Sequence, residues 1–198
     1  MFAYCNNNSV NCVDNTGTDA VWIQEEGRVN GKGHSGLLVD DGEGNWYFLY
    51  WGSAGDPSWP QIIFGAPYKF VFVKIDVSEC DLSSAEGVAL ALKNSDNSTA
   101  QTRSQYVTGV VYLEGDYSET YKYLADKYEQ ELSKPGSLKK YKLLTNNCAQ
   151  VTWKALEQSC SFFRKYNCSI IPNDTFETVK SIDKLIDRLL EILKEKHS

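Results

Sequence analysis

No stretch of this 198-residue sequence approaches the ~18 consecutive apolar residues of a membrane-spanning helix. The opening, Met1-Phe2-Ala3-Tyr4-Cys5-Asn6, lacks both the basic start and the apolar run of a classical signal peptide. Positive charge is in deficit: 20 Lys and Arg stand against 26 Asp and Glu, a formal net charge of −6. Nucleic-acid binding needs a basic stripe, and the longest basic cluster is Lys139, Lys140 and Lys142, broken by Tyr141. No nucleic-acid partner and no membrane span are therefore expected. Six cysteines, at 5, 12, 80, 148, 160 and 168, include no CxxC pair and are few for a disulfide scaffold, so most are read as thiols. Histidine is scarcer still, with only His34 and His197. The set Cys160, Cys168 and His34 lacks zinc-ligand spacing, and neither a metal nor a cofactor is expected.

What is present suffices for a core. Apolar residues make up 42% and aromatics 13% of the chain, which argues for a folded domain rather than disorder. The length fits one domain, or one domain with a short appendage. Residues 1–20 are polar and turn-rich, with NNNS at 6–9 and DNTG at 14–17. An apolar run at 35–39, the turn cluster DDGEGN at 40–45 and an aromatic run at 46–51 predict a β-hairpin. YKFVFVKI at 68–75 and YVTGVVYL at 106–113 predict two further strands.

A helix is predicted over 83–93 with Ser83 or Ser84 as N-cap, and the polar stretch 94–104 reads as a loop. Asp116 or Ser118 can cap a helix over 118–132, which Pro135-Gly136 stops. A short extended piece at 141–144 precedes a helix through 157, capped by Asn146 or Asn147. From Pro172 onward, Phe176, Val179, Ile182, Leu185, Ile186, Leu189, Leu190 and Leu193 recur at helical spacing. The opposite face is mixed in charge, which fits packing on the domain better than lying on a membrane. Antiparallel strands followed by helices indicate an α+β fold.

Two places carry chemistry: Gly33-His34-Ser35-Gly36 at a strand start, and Thr145-Asn146-Asn147-Cys148 at a helix start. A helix N-terminus presents unpaired N–H groups and partial positive charge. A cysteine there has its thiolate favoured and its pKa lowered, and an imidazole nearby can take and return the proton. Backbone N–H groups of the same turn can hold an oxyanion. Cys148 is thus the candidate nucleophile and His34 the candidate general base, with Asn147 and Asn146 as oxyanion or supporting residues. The blander alternatives are a buried cysteine acting as a small hydrophobe and a structural histidine. Cys80 is the next best nucleophile, while Cys160 falls at a helix end, where the dipole disfavours a thiolate.

Residues 34–52 (HSGLLVDDGEGNWYFLYWG) with 141–149 (YKLLTNNCA) resemble the circularly permuted papain-like group. That group includes NlpC-type amidases, lecithin–retinol acyltransferase-like enzymes and PPPDE peptidases. In it the His strand precedes the Cys helix, and an Asn-Cys pair, here Asn147-Cys148, opens that helix. This chain has Gln150-Val151 where these families often continue with His-Phe. Residues 2–17 (FAYCNNNSVNCVDNTG) resemble the end of the Rhs/YD-repeat core of bacterial polymorphic toxins, with Ser9 and Asn15 at its usual prolines. Residues 112–123 (YLEGDYSETYKY) fit the same layout. The resemblance implies a junction at 1–17 and a papain-like effector domain at 18–198, delivered into a target cell, with a cognate immunity protein as partner. The acidic, aromatic composition points towards a protein or peptide substrate, with peptidoglycan peptides, a glutamine side chain and a lipid ester left open.

The leading expectation is therefore a cysteine-dependent hydrolase or transferase of peptidase, amidase or deamidase type. The orienting third residue is not readable: the hairpin places Tyr50 or Trp51 near His34, and Asp40 is six residues along the strand, too far for contact. The alternative is a catalytically inactive papain-like binding or scaffold module. A nuclease is disfavoured by the acidic charge and the lack of a metal-ligand cluster.

Overall fold

The segment Ala20–Glu25, AVWIQE, forms strand β1, and all six of its residues are buried. The computed structural model describes residues 18–27, 33–55, 58–166 and 172–195. β1 is followed by β2 (His34–Asp40) and β3 (Trp46–Ser53), a short helix α1 (Trp59–Phe64), then β4 (Tyr68–Ile75). Helices α2 (Ala85–Asn94) and α3 (Ser98–Ser104) lead to β5 (Gly109–Leu113). The chain closes with α4 (Ser118–Ser133), α5 (Cys148–Ser159), α6 (Ser161–Lys165) and α7 (Pro172–Glu195). The strands form one five-stranded antiparallel sheet in the order β4-β3-β2-β1-β5. The architecture is α+β.

The sequence pattern predicts irregular backbone up to residue 20 and no strand before 35. β1 instead lies between β2 and β5, pairing Ala20 with Val39 on one side and Leu113 on the other. Its apolar run is only four residues long and ends in Gln24 and Glu25, so alternation is absent. A strand covered on both faces needs no alternation. The stretch 94–104 is not a loop throughout. Asn97 caps α3 by accepting from the Thr99 and Ala100 N–H groups at 2.9 and 3.1 Å, which lets a polar heptamer hold a helix end. Of the alternative caps, Ser84 serves α2 and Asn147 serves α5.

Helices cover both faces of the sheet. On one face Trp22, Leu37, Leu49 and Phe72 pack against Leu124 of α4, Ala149, Trp153 and Leu156 of α5, and Phe176 and Val179 of α7. The edge of Trp153 meets Trp22 at 6.4 Å between centroids, within the favourable range for aromatic pairs. On the other face Val21, Ile23, Leu38, Phe48 and Tyr50 pack against Val88, Ala91 and Leu92 of α2 and Ala100 of α3. In the predicted apolar stripe of the tail, Phe176 and Val179 are buried, and the side chains of Ile182, Ile186 and Leu189 lie outside the described residues. The junction-like segment 1–17 does too. No helix of the described residues is long and apolar enough to cross a membrane.

Gly87, in the first turn of α2, tests how the second face is closed. Glycine to alanine inside a helix ordinarily stabilises by ~1 kcal/mol. Here a Cβ would meet the backbone oxygen of Asp81 at 1.9 Å and its carbonyl carbon at 2.6 Å. Gly87→Ala should therefore reverse the sign and cost about 1–3 kcal/mol in urea denaturation. An unchanged or raised midpoint would show that this close approach does not exist.

Candidate active site

Cys148 is the first residue of α5, and the two asparagines before it shape the turn. The Asn147 side-chain oxygen accepts from the Gln150 N–H at 3.0 Å, and the Gln150 side chain accepts from the Asn147 N–H at 3.1 Å. This reciprocal capping box satisfies two otherwise orphaned donors. Asn147 Nδ2 donates to the Leu143 carbonyl at 2.7 Å. Asn146 Nδ2 donates to the carbonyls of Lys139 and Lys140 at 3.2 and 2.9 Å. Both side-chain amides thus hold the loop's own carbonyls, which is a supporting role. The Trp51 indole N–H fastens the same loop to β3 by donating to the Asn146 carbonyl at 3.2 Å.

The donors around the thiol are backbone groups. The Ser35 N–H donates to Cys148 Sγ at 3.4 Å, and the N–H groups of Ala149 and Cys148 itself also favour the thiolate. These are the groups a helix start leaves unpaired. The expected lowering of the pKa nevertheless does not occur. Cys148 is 0% exposed, and burial outweighs the three N–H groups and pushes the thiol up to about 12, with the charge of Glu25 adding to the rise. The helix-start argument is correct in sign, but desolvation of the anion is the larger effect.

His34 opens β2 directly before Ser35 and is buried as well, at 3% exposure. The pleat sends Ser35 and Leu37 to the α5 face. It sends the His34 ring to the other side, where the ring lies tilted against Tyr50 with centroids 4.9 Å apart. Trp51 and Tyr50, the two residues expected near His34, are divided in the same way: the first holds the cysteine loop, the second the imidazole. Thiol and imidazole are therefore brought to one point of the fold, the start of β2: Cys148 lies against the Ser35 N–H, and its charge reaches both Tyr50, against which the His34 ring lies, and Glu25, the register partner of His34.

Two residues that sequence reasoning missed complete the His34 side. Glu25 is the register partner of His34 across β1 and β2. Its carboxylate pairs with Arg103 of α3 at 2.7 Å, and Arg103 also donates to the Tyr50 hydroxyl at 2.8 Å. Burial pushes the Tyr50 phenol up more than the neighbouring guanidinium pulls it down. Glu25 could have been found as a charge ending an apolar run, but Arg103 is 78 residues away and sits in a polar stretch. Among the other cysteines described, Cys80 and Cys160 are half-buried; the positions of Cys5, Cys12 and Cys168 lie outside the described residues. Among the described residues no three His, Cys, Asp or Glu side chains form a metal-binding group.

Comparison of the chain with family models, curated proteins and solved structures yields no match.

Proposed function

We propose that residues 18–198 form a permuted papain-like domain acting as a cysteine-dependent hydrolase or transferase of the peptidase, amidase or deamidase type. Cys148 is the nucleophile and His34 the general base. The observation that carries this reading is the 3.4 Å contact from the Ser35 N–H to Cys148 Sγ, which joins a helix-start cysteine to the residue beside the histidine. Backbone N–H groups that converge on sulfur are also suited to a developing oxyanion. The Glu25–Arg103–Tyr50 chain supports the imidazole from its own side of the sheet. The arrangement is a closed resting state. Turnover requires the thiol to lose its burial, because the thiolate is the nucleophile and desolvation disfavours it. The toxin-like junction fits a delivered effector with a protein or peptide substrate and a cognate immunity protein.

A second reading is favoured by one observation, the complete burial of Cys148: a catalytically inactive papain-like module that binds a partner. A growth assay with the full chain expressed in a sensitive cell separates the two. Cys148→Ala should abolish toxicity while the thermal midpoint stays within a few degrees, and Cys148→Ser should behave alike. Full toxicity in both variants would exclude thiol chemistry and leave the binding module.

A further inference from the structure

A cleft of about 300 Å³ opens on the α5 face of the sheet, between α4, α5 and the loop that leads to Cys148. Its apolar wall is formed by Trp51, Phe70, Leu124, Leu138 and Val151. Three lysines, Lys127, Lys139 and Lys154, border it from three different parts of the chain. Such convergence is unexpected in a protein of net charge −6. The ion pairs seen among the described residues are Arg103–Glu25 and Lys122–Glu119, so none of the three lysines is neutralised by one. The carboxylate of Glu131 lies beside the cleft, where it accepts from the Tyr68 hydroxyl and the Gly136 N–H and pairs with none of the three lysines. Lys127 lies over the ring of Tyr123, another lining residue, at 5.6 Å and donates to Gln130 at 3.4 Å.

We propose that this cleft binds a peptide segment that presents a carboxylate beside an apolar side chain. The volume lies at the lower end of the ~300–1,000 Å³ range of ligand pockets, enough for a dipeptide-sized group and too small for paired acyl chains. Apolar wall and cationic rim match the two halves of that ligand. A nucleotide fits less well, because Trp51 is only 4% exposed, with Tyr68 stacked on it at 4.6 Å and Phe70 against it at 5.8 Å, which leaves no open ring face for a base. The carboxylate comes either from an acidic side chain or from a chain end. The cleft borders the cysteine loop through Asn146, but its occupancy does not depend on thiol chemistry.

The test follows the Trp51 indole N–H resonance and the Val151 and Lys154 amides of the full chain during titration with small probes. Acetyl-Leu-Glu-amide represents the side-chain source and acetyl-Gln-Leu free acid the chain-end source. At least one should saturate these resonances below about 10 mM, and neutral acetyl-Leu-Gln-amide should bind at least about tenfold more weakly. The combined Lys127→Gln, Lys139→Gln and Lys154→Gln variant should lose about tenfold in affinity while resonances outside the cleft stay in place. Lys139 and Lys154 are exposed, so Lys139→Gln with Lys154→Gln alone provides a milder variant for the same comparison. Equal binding of the neutral peptide, unaltered affinity of the lysine variants, or silence of all three resonances would overturn the proposal. Movement of these resonances with ATP or anionic vesicles but with neither acidic peptide would do so as well.

Discussion

Arg103→Ala is expected to cost about 3–5 kcal/mol of folding stability, because it strips the buried Glu25 carboxylate of its counter-ion. The pair is 2.7 Å apart, with Glu25 1% and Arg103 8% exposed. The same guanidinium holds the Tyr50 hydroxyl, which burial denies to water. A loss of this size is a large part of the ~5–15 kcal/mol that holds a domain folded. Much of it is the penalty for leaving one charge behind, not the net value of the pair. Glu25→Leu combined with Arg103→Met should therefore recover most of the loss. Urea denaturation of the single variants and the double variant closes the cycle. A cost under about 1 kcal/mol for Arg103→Ala would mean that water or another cation reaches Glu25. Lys122–Glu119, with side chains more than half exposed, is the contrasting case, and breaking it should leave the midpoint unchanged.

The local parts of this fold are legible wherever a periodic pattern or a cap carries them. The hairpin of β2 and β3 follows from two apolar runs around DDGEGN, and the start of α5 from its asparagines. β1 is not legible for the same reason that it is central: covered on both faces, Ala20–Ile23 shows no alternation, and four apolar residues alone do not distinguish a strand from a core turn. Asn97-Ser98-Thr99 is a helix start with little apolar content behind it, which hides α3. At the site, chain order brings a strand histidine and a helix-start cysteine to mind, and the fold does place their backbones side by side. The side chosen by each group is set by pleat and register. Ser35, not His34, faces α5, and Glu25 and Arg103 meet only when β1 and α3 are packed. Burial of the thiol is equally non-local: the loop before α5 is fastened to β3 by Trp51, to β2 by the Ser35 N–H at the thiol, and to α1 by the Leu143 N–H donating to the Ile62 carbonyl at 2.9 Å.

That burial has a consequence large enough to measure: Cys148 should be the slowest of the described cysteines to alkylate in the native protein. An ordinary thiol near 9 and one pushed up to about 12 differ about a thousandfold in thiolate fraction near neutral pH, and the thiolate is the reacting species. Among the described cysteines, half-buried Cys80 and Cys160 should label ahead of Cys148 in a time course read by peptide mass spectrometry. Labelling of Cys148 should wait on opening of the fold, and a substrate or partner that opens the site should speed it selectively. The same shift makes stability depend on pH with a fixed sign. Between 9 and about 12 the unfolded thiol has lost its proton and the folded one keeps it, so the native state binds more protons and stability falls as pH rises. The contribution is fully present below about 9, and by pH 10 the wild type should have lost on the order of 1 kcal/mol more than Cys148→Ala. Urea midpoints of both proteins at pH 7 and pH 10 measure the difference. Parallel pH dependences, or Cys148 labelling ahead of Cys160 at neutral pH, would show that the thiol meets solvent in the resting protein and that helix-start stabilisation prevails over desolvation.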